Sequence, residues 1–84
     1  MYKVVLTKSA EKELLKIPKV YSENIVKHLV ELINNPRPNG CKKLSGYEDI
    51  YRIRVGMYRV VYRIEDDILY IEVIKIGHRK DVYQ

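Results

Sequence analysis

Ile50-Tyr51-Arg52-Ile53-Arg54-Val55, then Gly56-Met57, then Tyr58-Arg59-Val60-Val61-Tyr62-Arg63: this stretch reads as two strands joined by a two-residue loop. A glycine first in such a loop is the signature of a type II′ hairpin turn, whose twist matches that of the strands it joins. The turn sets Val55 opposite Tyr58, Arg54 opposite Arg59 and Arg52 opposite Val61. Side chains alternate faces along a strand, so Arg52, Arg54, Arg59 and Arg63 emerge on one face. Like charges directly opposite on a sheet cost a few tenths of a kcal/mol up to roughly 1 kcal/mol. An anion on that face is the economical explanation, and the planar fork of a guanidinium suits a phosphodiester.

Outward from the hairpin, Tyr2 to Leu6 predicts a first strand. Thr7 or Ser9 offers a helix N-cap hydroxyl, with Glu11 and Glu13 where the helix dipole favours negative charge. Ala10, Leu14, Leu15 and Ile17 give this first helix an apolar stripe, and Pro18 ends it. A second helix is predicted from about Val20 to Ile33, because Tyr21, Ile25, Leu29, Leu32 and Ile33 recur at three- and four-residue spacing. Asn34-Asn35-Pro36-Arg37-Pro38-Asn39-Gly40 is a loop rather than a domain linker, since too little chain flanks it for two cores.

A last strand spans Ile68 to Ile76 after the acidic turn Glu65-Asp66-Asp67. A two-residue turn at Asp66-Asp67 sets Val61 opposite Glu72 and brings Glu72 to the arginine face. A three-residue turn points Glu72 at the helices and puts Leu69, Ile71 and Val73 among the arginines. Burying an unpaired carboxylate is costly, which favours the first register. The outline is a single α+β domain over residues 1–84: an N-terminal strand and helical hairpin packed on one face of a small, mainly antiparallel twisted sheet.

The net charge of +5 points to a polyanionic or acidic partner. There is no Phe or Trp but there are eight Tyr, which give apolar area with a polar tip and suit exposed platforms. Cys41 is the only cysteine, so no internal disulfide can form and a reduced, cytoplasmic setting is expected. The opening run Met1 to Leu6 is too short for a signal segment or a membrane span, so no membrane partner is expected.

Gly77-His78-Arg79-Lys80-Asp81-Val82-Tyr83-Gln84 carries the remaining chemistry. Gly77 can supply a positive φ that turns the segment back over the sheet, bringing His78, Arg79, Lys80 and Tyr83 towards the arginines. Cleavage of RNA needs a base near the ribose 2′-hydroxyl, positive charge around the phosphorane oxygens and help for the leaving 5′-oxygen. Asp66, Asp67 and Asp81 lack a convincing metal spacing, so metal-free catalysis with no cofactor is predicted. His78 has a convenient unperturbed pKa for the base. Lys43, Arg63 and Lys80 are candidate RNA contacts, and Arg63 also suits an ion pair with Glu65 or Asp67. A solvated, merely exposed sheet face is the plainer reading of the arginines, and His28, Cys41, Tyr2, Tyr21 and Tyr47 read as framework or surface.

Asn35-Pro36, Lys43-Leu44-Ser45-Gly46, the Tyr51 to Tyr62 hairpin and the Gly77 to Tyr83 tail, in that order and spacing, resemble the RelE-type toxins of the RelE/ParE superfamily. These are the toxic halves of bacterial and archaeal toxin–antitoxin pairs. The resemblance implies two N-terminal helices packed on one face of an antiparallel sheet. It also implies cleavage of mRNA in the ribosomal A site and neutralisation by a cognate RelB-type antitoxin, with operator DNA bound only indirectly through that complex. Carried over residue by residue, it gives catalytic roles to Arg52 and Arg54, where the best-studied branch carries lysines, to Arg59 and Arg79, and to Tyr83 as general base. A guanidinium, with pKa above about 12, transfers protons poorly, so Arg52 and Arg54 are expected to act as electrostatic stabilisers. Two other functions compete on the same fold: a ParE-type inhibitor of DNA gyrase, and an inactive homologue that only binds its antitoxin.

Overall fold

The computed structural model describes residues 1–78. In chain order the elements are β1 (Lys3–Leu6), α1 (Lys8–Lys16), α2 (Lys19–Leu32), β2 (Lys42–Lys43), β3 (Ile50–Val55), β4 (Tyr58–Glu65) and β5 (Tyr70–His78). The five strands form one sheet in the order β1-β5-β4-β3-β2, with β1 parallel to β5 and the other pairs antiparallel. The expected α+β architecture is present. Strand β2 was not foreseen, because two residues cannot display a period.

Thr7 caps α1, its hydroxyl oxygen accepting from the Ala10 N–H at 3.1 Å. Ile17 is extended (φ −80°, ψ 135°), the conformation the ring of Pro18 imposes on the residue before it, and α2 starts directly after that proline. From the helices, Ala10, Ile25, Leu29 and Leu32 pack against Ile53, Val55, Val60, Tyr62, Ile64, Ile71, Val73 and Ile76 of the sheet. One sheet face is thereby covered, and each fully buried aliphatic side chain contributes about 1.5–3 kcal/mol. Among the described residues no helix is long and apolar enough to cross a membrane.

The hairpin has the predicted register: Val55 pairs with Tyr58, Arg54 with Arg59 and Arg52 with Val61. Gly56 takes φ +61°, while Met57 after it does not have a positive φ, as a type II′ turn requires. The β4–β5 connection is longer than predicted. Asp66–Ile68 form a 3₁₀ turn ended by Leu69 at φ 52°, and Glu72 pairs with Arg63 instead of Val61. The slip is two residues, and an even slip preserves the face, so Glu72 still lies on the arginine side.

Strand β5 is bulged. Val61 pairs with Lys75 and Tyr62 with Val73, which leaves Ile74 without a partner. The extra residue lets Ile71, Val73 and Ile76 all face the helices, a spacing that strict alternation forbids, and it turns Lys75 to the other face. Thr7 holds the bulge in place: its hydroxyl donates to the Ile74 carbonyl at 3.1 Å and its N–H to the Val73 carbonyl at 3.0 Å.

The 34–41 loop is anchored to the sheet by tyrosines and one ion pair. The buried Tyr62 hydroxyl donates to the Pro36 carbonyl at 2.8 Å, and burial pushes its pKa well above the ordinary phenol value. Arg37 lies over the Tyr51 ring, 5.1 Å from its centroid, and donates to Asp66 at 2.8 Å. Tyr2 donates to the same carboxylate at 2.6 Å.

Candidate active site

The sheet face turned away from the helices carries the arginines. Cross-strand partners share a face, and the register sets two rows side by side. In the first, Arg54 of β3 faces Arg59 of β4, which faces Gly77 of β5. In the second, Lys42, Arg52, Val61 and Lys75 line up across β2, β3, β4 and β5. A depression of about 320 Å³ opens between Gly40, Lys42, Arg52 and Arg54.

The cations differ in exposure. Arg54, Lys42 and Lys75 are exposed and Arg52 is half-buried, whereas Arg59 is only 3% exposed. A guanidinium fixed in such a low-dielectric position acts more strongly on a neighbouring anion than a solvated one and needs no reorganisation to do so. Gly77 faces Arg59 across the strand pair and offers no side chain to crowd it. Among the described residues no carboxylate lies within ion-pair range of Lys42, Arg54 or Lys75.

Three expectations need correction. Arg63 lies on the arginine face, but its guanidinium is taken up by Asp49 and Glu72, each at 3.3 Å, rather than by Glu65 or Asp67. Two carboxylates balance its charge, which argues against a contact to RNA. Lys43 pairs with Tyr51, on the helix side, and its neighbour Lys42 occupies the arginine face instead. His78 does not turn back over the arginines. Strand β5 continues through Gly77, and His78 pairs with Tyr58 with its ring edge-on to the Tyr58 ring at 5.9 Å. Tyr58 belongs to the helix side, where it packs against the core and meets Tyr21 of α2 at 5.9 Å. Arg79, Lys80 and Tyr83 lie outside the described residues.

Sequence reading missed Lys42 and Lys75. A signal for Lys75 existed: the apolar alternation 71, 73 changes phase to 74, 76, and a change of phase within one strand marks a bulge. For Lys42 there was none, because its face depends on a two-residue pairing with β3.

Arg52, Arg54 and Arg59, brought together by the register of β3 and β4, form a surface suited to a phosphate that gains negative charge. Comparison with known proteins agrees with this chemistry. The family described as ParE toxin of type II toxin-antitoxin system matches residues 4–83. The mRNA interferase toxin RelE of Escherichia coli (strain K12) is 36% identical over 84% of this chain and 76% of its own length. Toxin RelE of Mycobacterium tuberculosis is 32% identical over 99% of this chain and 87% of its own length. The archaeal RelE–RelB complex from Pyrococcus horikoshii OT3 contains a chain that superposes with a TM-score of 0.85 at 29% identity, covering 96% of this chain and 98% of that one.

Proposed function

This chain belongs to the RelE/ParE superfamily of type II toxins, and on that premise we propose that it is a toxin that cleaves mRNA on the ribosome. The observation that carries this reading is the row of Arg54 and Arg59 beside Arg52 on the sheet face that the helices leave open. The ribosome presents the message, and the cationic face takes its backbone. The ribose 2′-hydroxyl loses its proton and attacks the adjacent phosphorus, the bond to the 5′-oxygen breaks, and a cyclic phosphate and a free 5′-hydroxyl result. Arg52, Arg54 and Arg59 stabilise the charge that develops on the non-bridging oxygens. Arg79 helps to stabilise that charge and Tyr83 serves as the base, the roles the resemblance implies. A phenol of ordinary pKa about 10 is a weak base at neutral pH, and positive charge beside any phenol favours its ionised form.

The partner is a RelB-type antitoxin, as the structural likeness to RelE in complex with RelB supports. Its chemistry should be an acidic, amphipathic segment that is disordered alone and folds as it wraps this basic domain. Contact with operator DNA runs through that complex, and the working compartment is the cytoplasm.

The matching family is described by its ParE member, which favours gyrase inhibition as a second reading. Primer extension on translated mRNA after brief induction, with a gyrase supercoiling assay in parallel, separates the two. Cleavage within codons and untouched supercoiling are expected. Intact mRNA with blocked supercoiling refutes the nuclease, and neither effect leaves an antitoxin-binding homologue.

A further inference from the structure

Lys42, Arg52, Val61 and Lys75 stand in register across four adjacent strands, so their row runs perpendicular to the strands. Neighbouring strands are about 4.8 Å apart, which spaces the two lysines roughly 14 Å from end to end of the row. Both lysines are exposed, and among the described residues neither has a carboxylate within ion-pair range. Lys42 borders the depression that it shares with Arg52 and Arg54. Lys75 reaches this face only because Ile74 is bulged, and the cap residue of α1 holds that bulge. The row lies directly beside the Arg54–Arg59 pair, one step along the strands.

We infer that this row is the track of the RNA backbone: the single strand crosses the sheet at right angles to β3 and β4, with Lys42 and Lys75 each binding a phosphate on either side of the scissile one. The inference rests on the function proposed above and names two residues that fix the substrate's direction without touching the reacting atoms. An ammonium is a compact point charge that suits a phosphate which is only held, while the arginine forks serve the phosphate that reacts. Neutralising a phosphate on a single strand contributes a slope of about −0.7 in log affinity against log salt. Two such contacts therefore leave a signature that packing does not.

The test measures binding of the full chain to ribosomes programmed with mRNA whose A-site codon carries 2′-O-methyl groups and cannot be cleaved, over a series of salt concentrations. Lys42→Ala and Lys75→Ala are each expected to weaken binding about tenfold and to lower the salt slope by about 0.7, with arginine at either position restoring both. Lys43→Ala, next in sequence but on the other face, should change neither. Melting temperatures of all three should match the parent, so that misfolding is not read as lost contact. If Lys42→Ala and Lys75→Ala behave like Lys43→Ala, the track is wrong. Equal losses on ribosomes without mRNA also overturn it, because the lysines then contact ribosomal RNA, and so does an absence of any binding. Cleavage of ordinary mRNA by the parent, run alongside, decides the proposed function separately. No cleavage with the lysine-dependent binding intact refutes the nuclease and leaves the track standing.

Discussion

Arg54 and Arg59 face each other across the hairpin, yet their surroundings make them different instruments. Arg54 is exposed, and removing it relieves a like-charge opposition of up to roughly 1 kcal/mol. Arg54→Ala should therefore lower single-turnover cleavage by about 10²- to 10³-fold while the melting temperature holds or rises slightly. A sharp fall in melting temperature would make this arginine structural. At 3% exposure Arg59 also fills space, so Arg59→Ala should lose both cleavage and about 2–5 kcal/mol of stability. Replacing it with methionine, close in length and uncharged, should recover much of the stability in a denaturant titration and none of the cleavage. These residues were legible in the sequence because a strand's period of two is unambiguous once the turn is fixed. The depth at which Arg59 lies was not, since burial depends on what crosses the strand from other elements.

At the scale of the element, turns and caps were readable where their chemistry is local. Gly56 announced its turn by residue type, and Gly56→Ala places a Cβ at φ +61°, which should cost about 1–2 kcal/mol by chemical denaturation. Thr7 announced a cap but not its second task, because the Ile74 carbonyl it meets is 67 residues away in sequence. Thr7→Val keeps the shape and removes the hydroxyl. It should cost about 0.5–2 kcal/mol as a lost cap, lowering the melting temperature by several degrees, and Thr7→Ser should restore most of it. A variant as stable as the parent would show that the hydroxyl holds nothing. The four-residue β4–β5 connection and the short β2 escaped the sequence for one shared reason. Each is a decision about register, and register is settled between strands rather than within them.

Over the whole molecule, charge is sorted along the sheet. The end formed by the β4–β5 connection carries Asp49, Glu65, Asp66 and Asp67, while the hairpin end carries Arg54 and Arg59. At the acidic end Asp66 ties the first strand and the 34–41 loop together, and the Arg37 guanidinium, helped by the Tyr2 hydroxyl, holds its carboxyl below the ordinary 3.8. A group whose folded pKa is depressed contributes its stability fully above the unfolded value and loses it as pH falls through the folded one. The melting temperature of the parent should accordingly drop more steeply below pH 3.8 than that of Asp66→Asn. Parallel curves would show that the ion pair carries no net stability. The parallel seam of β1 on β5 has a further consequence, for the order of biosynthesis. Lys3 and Val5 can find Tyr70 and Glu72 only after the chain between them has been made, and β5 is also the strand on which β4 leans. A nascent chain still lacking residues 70–78 has nothing to join β1 to β4 and no Lys75 in position. The row from Lys42 to Lys75 is thus complete only once β5 has emerged from the ribosome and paired with β4.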